Sequence, residues 1–201
     1  TFIYISCIYT TRVFFIDFFC VIILMKDRCL FMEKVAKFEK VSFDQFKKDF
    51  LDCFNSYNDE QIEKIYNNLI LPKRATKGSA GYDFYIPIDI TLKPNETIKI
   101  PTGIRCFIND GWFLSIFPRS GLGFKYRLQL NNTVGIIDSD YYNALNEGHI
   151  MCKITNDSNE NKTIELKALT GFVQGIFLPF GITFDDKSDE IRVSGFGSTT
   201  K

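Results

Sequence analysis

Residues 96–117 read ETIKIPTGIRCFINDGWFLSIF, and this stretch decides the fold class. It holds three short runs rich in β-branched and aromatic residues, and the turn signal NDG at 109–111 separates the last two. Many short strands at fairly regular spacing are typical of an all-β sandwich or barrel rather than a parallel α/β sheet. Similar runs lie on both sides, namely YDFYIPIDI (82–90), YRLQL (126–130), HIMCKITN (149–156), KTIELKA (162–168) and VQGIFLPF (173–180).

A first amphipathic helix is predicted upstream of the β region, over residues 42–54. Ser42 followed by Gln45 has the spacing of a capping box, in which each residue satisfies a backbone N–H of the other. Four phenylalanines recur at helical spacing and form one apolar stripe. They are Phe43, Phe46, Phe50 and Phe54.

A second helix is predicted over residues 58–70, with Asn58 or Ser56 as its cap and Pro72 as its stop. Both helices are expected to pack against the β domain through their apolar stripes, and a contact surface for another protein is the alternative. The second stripe consists of Ile62, Ile65, Tyr66 and Leu69.

The composition excludes two classes of function. The chain has 201 residues, which suggests one domain with an appendage, and its 24 basic and 24 acidic residues balance. A zero net charge argues against nucleic-acid binding, which requires a basic face. Six cysteines without a CxxC pair and a single histidine form no zinc-type cluster. Dispersed cysteines are typical of the reducing cytoplasm.

Residues 1–31 form an apolar leader. They are long enough to span a bilayer, yet Arg12 and Asp17 fall inside the span and are costly at membrane depth. We therefore expect translated upstream sequence or a non-native leader, because Met25 and Met32 lie just ahead of the soluble-type sequence. A membrane anchor is the alternative.

Four short segments, which we call islands, interrupt the β pattern with residue types that strands do not need. Arg119 supplies a bidentate donor fork, serine and threonine supply hydroxyls, and glycines let backbone N–H groups approach phosphate oxygens. Aspartates such as Asp83, Asp138 and Asp140 can orient a water or hold hydrated Mg²⁺. Together these types predict a phosphorylated ligand. The islands are GYD (81–83), PRSGLG (118–123), NNTVGIIDSDY (131–141) and GFGSTT (195–200).

These islands, in this order, resemble the signature motifs of the trimeric dUTP pyrophosphatases, or dUTPases. The likeness covers residues 71–201, and residues 33–70 resemble more loosely the dUTPases of low-GC bacteria and their phages. The five matching segments are GSAGYDFY (78–85), PRSGLG (118–123), NNTVGIIDSDY (131–141), GFVQGIFLPF (171–180) and RVSGFGSTT (192–200).

The resemblance implies a distorted jelly-roll or β-barrel subunit with an N-terminal helical segment, assembled as a homotrimer with shared active sites. It implies hydrolysis of dUTP to dUMP and pyrophosphate with Mg²⁺, by water attack on the α-phosphorus. Residues 32–70 would be an N-terminal extension and residues 71–190 the β domain. Residues 191–201 would be an arm that closes over a neighbouring active site.

The resemblance also assigns roles around the phosphates. Asp138 matches the aspartate that activates the attacking water, and Asp83 matches the one that contacts the metal through water. Asp140 would hold the loop or the trimer. The matching phosphate-binding residues are Arg119, Ser120, Gly121, Gln174 (through water) and Arg192 (at the γ-phosphate).

For the nucleoside, the resemblance places Tyr141 on the deoxyribose and Phe196 over uracil. The C-terminal Gly197, Ser198 and Thr199 would complete the arm. A hairpin would read uracil through backbone groups, exclude the methyl of thymine by size and reject cytosine by its hydrogen-bonding pattern. Its matching residues are Asn132, Gly135, Ile136, Ile137 and Met151.

Two segments depart from the family pattern. YNALNE at 142–147 is inserted after Tyr141 and is expected to lengthen that loop without moving Asp138. Val193 and Ser194 replace part of the glycine-rich spacing of the last motif.

Three alternatives stay open at this point. One is a dCTP deaminase of the same fold, which EGHIMCK at 147–153 echoes, although Lys153 stands where that family uses a glutamate. His149 is accordingly interpreted as a strand residue. Another is a phage-type regulator that binds a protein partner through residues 142–147 and the two helices. The third is an inactive structural trimer, against which Asp138, Arg119 and Phe196 argue.

Overall fold

Antiparallel strands dominate the chain, as its alternating apolar runs predict. The computed structural model describes residues 33–188, and the leader at 1–31 lies outside that range. The strands are β1 Ala36–Lys40, β2 Lys73–Arg74, β3 Tyr82–Tyr85, β4 Ile90–Leu92, β5 Thr97–Pro101, β6 Ile104–Ile108, β7 Trp112–Pro118, β8 Leu128–Leu130, β9 Gly135–Ile137, β10 Met151–Asn156, β11 Ile164–Leu166 and β12 Gly171–Pro179. The helices are α1 Phe43–Cys53, α2 Asp59–Asn68, α3 Ser120–Tyr126 and the 3-10 helix η1 Ser139–Asn143.

The strands form four sheets in the described part of the chain, and every pairing is antiparallel. The largest sheet has the order β2-β3-β12-β7-β9, and a second has the order β5-β10-β8. Two-stranded sheets pair β1 with β6 and β11 with β4. The inward residues of all these sheets share one apolar core, which gives a jelly-roll-like subunit and confirms the predicted all-β fold class.

The two predicted helices are present, and their stripes face this core. Phe46, Phe50 and Ile62 are fully buried within it. From Val35 onward, the described residues belong to one compact unit. Because the helices complete the core of the β domain, their apolar stripes are packing surfaces as expected. No helix among residues 33–188 has the length and apolar character needed to cross a bilayer.

The helix caps differ from each other. Asn58 and Gln61 form a complete capping box at α2. At α1, the Ser42 hydroxyl accepts the Gln45 N–H at 3.2 Å, but the reciprocal bond is replaced. The Gln45 side chain donates to Asp49, and the Ser42 N–H donates to Glu147. Only one of the two hydrogen bonds of the predicted capping box is therefore formed, because the Ser42 N–H donates to the carboxylate of Glu147 instead.

Three further details differ from the sequence prediction. The strand β1 was not predicted, since AKFEK contains only one large apolar residue. The run at 82–90 is not one strand but two, which lie in different sheets on either side of Pro87. The strand predicted at 149–156 begins at Met151, so that His149 lies just before it.

The glycine between β5 and β6 offers a test of how the helices pack. Gly103 has φ +72°, and a Cβ there would lie 2.2 Å from Leu69 Cδ1 and 3.2 Å from Phe46 Cδ2. We predict that Gly103→Ala lowers the free energy of unfolding by about 3 kcal/mol, from left-handed strain plus overpacking. Urea denaturation measures this change.

Gly111→Ala is the matched control. Gly111 has φ +80°, but a Cβ there meets no atom within 4 Å. This variant should lose only the strain contribution, roughly 1–2 kcal/mol. Equal losses in the two variants would contradict the described packing of the helices on the Gly103 turn.

Candidate functional site

One group of predicted site residues meets where β3, β12 and β7 lie side by side. Gln174 in β12 is paired with Asp83 in β3 and with Phe117 in β7. Arg119 directly follows β7, and its Nε lies 3.1 Å from Asp83 Oδ1. Its guanidinium also donates to the Gly171 carbonyl at 3.3 Å. The pairing of three strands thus brings together residues that are far apart in sequence.

This first group has an open, polar surface. The Arg119 side chain is 42% exposed and that of Asp83 is 17% exposed, so the ion pair is accessible to an incoming anion. Gln174 donates to the Pro118 carbonyl at 3.3 Å, and Ser120 and Gly121 are exposed at the start of α3. We call Asp83, Arg119, Ser120, Gly121 and Gln174 the arginine group.

A second group surrounds the tight connection from β8 to β9, two strands that pair in different sheets. We call residues 128–137 the hairpin. The chain turns through Thr133, which has φ +66°, and β9 then pairs with β7. A Cβ on Gly135 would lie 3.0 Å from Ile116 Cβ, so that glycine permits the close approach of the two strands. An open pocket lies against the hairpin, lined by Ile116, Leu130, Asn132, Gly135, Ile137, Ile150, Met151, Cys152 and Lys153.

Four of the five residues predicted to read a base line this pocket. The exception is Ile136, which is 47% exposed on the opposite face of the strand from Gly135 and Ile137. Cys152 and Ile154 anchor β10 behind the pocket, and burial raises the pKa of the Cys152 thiol to about 12. That thiol is consequently protonated and serves as packing.

Asp138 follows β9 at the edge of the hairpin and is half-buried. Its carbonyl accepts the Tyr141 N–H at 3.2 Å and opens η1. Tyr141 itself is 1% exposed, and its hydroxyl donates to the His149 carbonyl at 2.8 Å. The Tyr141 ring is therefore packed within the chain, and its placement on a sugar stays a prediction. We call Asp138 and the hairpin residues the aspartate group.

The two groups lie far apart along the same strand. Ile137 is paired with Leu114, whereas Arg119 follows five positions beyond Leu114. At about 3.3 Å per residue, this separates the Arg119 backbone from that of Ile137 by roughly 17 Å. Within one copy of the chain, Asp138 and Arg119 therefore lie towards opposite ends of β7.

His149 is fully buried and lies just before β10. Its burial is typical of a packed residue rather than a catalyst. Its Nε2 accepts the Gly103 N–H at 2.8 Å, so the proton of the neutral ring lies on Nδ1 and donates to Asp49 at 2.6 Å. Burial alone raises the pKa of Asp49, but the bonds from His149 and Gln45 outweigh it and lower that pKa. The ring joins α1 to the start of β10.

Sequence reasoning missed the residues that support the Asp138 loop. Glu39, Ser42, Asp49 and Arg105 contact the segment 142–149, and no local pattern indicates these long-range contacts. Gly148, which adopts φ +69° in the structure, was the available sequence signal for a tight turn. Arg192, Phe196, Gly197, Ser198 and Thr199, which were assigned to the C-terminal motif, lie outside the described residues.

Comparison with known proteins agrees with the motif pattern. The dUTPase family model matches residues 67–200. The deoxyuridine 5′-triphosphate nucleotidohydrolase of Lactococcus lactis is 40% identical over 144 residues, which cover 70% of this chain and 95% of the relative. The enzyme of the same name from Psychromonas ingrahamii is 42% identical over 146 residues, covering 69% of this chain and 92% of the relative.

Solved structures show the same fold. The dUTPase of Streptococcus mutans superposes with a TM-score of 0.54 at 35% identity and covers 73% of this chain and 97% of that one. A variant dUTPase from phage phi11 of Staphylococcus aureus, described as coordinating a structural Mg(II) ion, has a TM-score of 0.54. It is 18% identical and covers 78% of this chain and 98% of that one, so it supports the fold alone.

The close approach of Gly171 to Arg119 yields a prediction about anion binding. A Cβ at Gly171 would lie 2.8 Å from Arg119 Nη1, which is the flexible end of a side chain. Gly171→Ala should displace the guanidinium and weaken inorganic pyrophosphate binding about tenfold, the loss of one charge-assisted contact. Isothermal titration calorimetry measures the affinity, and the melting temperature should stay within a few degrees of wild type.

Gly175→Ala provides the contrast in the same strand. A Cβ there meets Leu114 Cδ1 at 2.7 Å and Phe84 Cε2 at 3.0 Å, both in the core. This variant should lose stability instead, by roughly 1–3 kcal/mol. Unchanged pyrophosphate affinity in Gly171→Ala would show that Arg119 does not serve as the anion contact.

Proposed function

Because this chain belongs to the dUTPase family and hydrolyses dUTP, we propose that its active site is completed only when copies of the chain associate. The observation that supports this is the roughly 17 Å between the arginine group and the aspartate group along β7. The arginine group of one copy would bind the phosphates, and the aspartate group of another would supply the base and the uracil pocket.

Exposed apolar residues support association of the copies. Phe124 is 93% exposed beside the arginine group, and Ile136 is exposed on β9 beside Asp138. Such residues at the site edges are typical of surfaces that another subunit covers. The proposed assembly is a homotrimer in which residues 191–201 close over a neighbouring site. Further exposed apolar residues follow β12, namely Phe180, Ile182 and Phe184.

In the proposed reaction, Asp138 accepts a proton from a water that attacks the α-phosphorus. The new oxygen–phosphorus bond forms as the bond from the α-phosphorus to the bridging oxygen breaks, and the electron pair leaves with pyrophosphate. The position of Asp138 suits a base, since β9 ends immediately before it and η1 begins after it. The products are dUMP and pyrophosphate.

Arg119 would neutralise the charge that develops on the phosphates. In the free chain it is paired with Asp83, so phosphate binding exchanges a carboxylate for a phosphate of the same charge sign. Ser120 and Gly121 lie at the exposed start of α3 and would bind further phosphate oxygens. Gln174, whose amide lies in the same group, would act through water.

Mg²⁺ is the proposed cofactor, and the residues fit it as a hydrated ion. The residues at 33–188 contain no cluster of three or more metal-ligating side chains. Magnesium does not require one, because it keeps several waters and binds substrate phosphates with one or two carboxylates. Asp83 would contact the hydrated ion through water. When bound, the ion neutralises phosphate charge.

Selectivity would come from the hairpin pocket. Asn132, Gly135, Ile137 and Met151 line that pocket, where Asn132 and the backbone of Gly135 and Ile137 would offer polar groups to a base edge. Polar groups that stay unpaired with the wrong base discriminate by about 10⁴ or more. Ile116 behind Gly135 keeps the pocket narrow, which would exclude the thymine methyl.

The cytoplasm is the proposed location, because the cysteines among residues 33–188 are free thiols, as in a reducing compartment. A regulatory protein partner remains the alternative from the sequence. The surfaces assigned to it, residues 142–147 and the N-terminal helices, contact each other in this chain.

The base assignment predicts the behaviour of Asp138→Asn. Without a proton acceptor, kcat should fall by about 10²–10⁴-fold while dUTP still binds. Pyrophosphate release with Mg²⁺ measures the rate, and calorimetry measures binding. Asp110→Asn, at an exposed turn, is the control. A near-wild-type kcat in Asp138→Asn would remove Asp138 from the mechanism.

The shared site predicts complementation between two inactive variants. Arg119→Ala and Asp138→Asn copies, co-expressed with different tags and purified through both, should regain activity in mixed assemblies. In each mixed trimer about one site in three has both groups intact, since each site draws on two neighbouring copies. Pyrophosphate release from dUTP measures the gain.

A mixture of Arg119→Ala with Asp83→Asn is the matched control, because both changes fall in the arginine group. It should show no gain over the mean of its two parents. Failure of the first mixture to exceed its parents would argue that each site is built within one chain.

A further inference from the structure

The segment that follows Asp138 is fastened to the N-terminal extension at three points. Glu39 accepts the Tyr142 hydroxyl at 2.5 Å. Glu147 accepts both the N–H and the hydroxyl of Ser42, at 2.7 and 2.6 Å. We call the pairs Glu39–Tyr142, Ser42–Glu147 and Asp49–His149 the clasp.

The clasp bonds of Tyr142 and His149 are partly buried, whereas those between Ser42 and Glu147 are exposed. Arg105 in β6 lies over the Tyr142 ring at 4.0 Å, bonds its hydroxyl and pairs with Glu39 at 3.3 Å. Hydrogen bonds from Lys37 and then Tyr142 lower the pKa of Glu39 to about 2, so this carboxylate is ionised at neutral pH. An ionised acceptor makes these bonds stronger than neutral ones.

The loop also carries backbone strain that the clasp sustains. Glu147 has φ +57°, a conformation that costs a non-glycine residue about 1–2 kcal/mol. Gly148 follows with φ +69°, and a Cβ there would lie 2.7 Å from the Tyr141 carbonyl oxygen. A strained turn of this kind persists only where surrounding contacts stabilise it, and the two hydrogen bonds from Ser42 to Glu147 provide such contacts.

The clasp is connected to Asp138 through one short turn. The Asp138 carbonyl accepts the Tyr141 N–H, and Asn146 donates to the Tyr141 hydroxyl at 2.7 Å. Tyr142 and Glu147 thus hold both sides of the turn that sets the direction of the chain at Asp138. A shift of about 1 Å at a reacting group can cost about 10²-fold in rate.

We propose that Glu147 and Tyr142 are positioning residues for the hydrolysis of dUTP, and that the N-terminal extension acts through them to fix Asp138. The inference rests on the proposed role of Asp138 as base. The inserted residues 142–147 would then support catalysis by positioning, since Tyr142 and Glu147 connect the extension to the loop after Asp138.

Steady-state kinetics on Glu147→Ala and Tyr142→Phe test this role. Both should lower kcat, by about tenfold and about threefold, while the KM for dUTP stays within about twofold, because the phosphate and uracil contacts are untouched. Glu147→Gln keeps an acceptor for Ser42 and should recover most of kcat. Glu63→Ala, on the exposed face of α2, should match wild type.

A lowered melting temperature with unchanged kcat in both variants would show a merely structural role and overturn the proposal. If Glu147→Ala does not fold, Tyr142→Phe decides alone, because it removes a single hydroxyl. Asp138→Asn is measured in parallel. Full activity of that variant would reject the base assignment, whereas an inactive Asp138→Asn beside a fully active Glu147→Ala and Tyr142→Phe would reject the clasp alone.

Discussion

The antiparallel pairing of β7 with β12 on one side and β9 on the other is the constraint on which the site depends. Pairing with β12 brings Gln174 and, through β3, Asp83 to the end of β7 where Arg119 begins. Pairing with β9 places Ile137 at Leu114, towards the opposite end. One strand thus carries the two candidate groups towards its opposite ends.

The N-terminal extension is part of the fold and of the site's support. Its helices complete the apolar core through Phe46, Phe50 and Ile62. Its polar side chains hydrogen-bond the loop after Asp138. His149, just before β10, bonds both Asp49 of α1 and the Gly103 turn. The extension therefore connects core packing to the loop that follows Asp138, the proposed base.

Periodic features of this chain were predictable from sequence. The phenylalanine stripe of α1 and the runs that became β5, β6 and β7 follow directly from repeating apolar positions. The motif islands singled out Arg119 and Asp138 as candidate site residues, because plain strands do not need these residue types. The strand β1 was not predicted, because its five residues contain one large apolar side chain and therefore show no hydrophobic periodicity.

Long-range partners could not be predicted. Ser42 and Glu147 are 105 positions apart, and only the folded chain shows that a helix-capping serine gives its N–H to an inserted loop. The burial of Tyr141 was missed for the same reason, since a tyrosine after a catalytic-type aspartate is not distinguishable by sequence from an exposed ring. The separation of the two groups follows from strand register, which is set by cross-strand packing rather than by motif spacing.

The central claim is that one nucleotide is held by two copies of the chain. A crystal structure with a non-hydrolysable dUTP analogue and Mg²⁺ tests it most directly. The account predicts Arg119 of one copy at the phosphates and Asp138 of another copy beside the α-phosphorus of the same nucleotide. An analogue contacted by Arg119 and Asp138 of a single chain would contradict it.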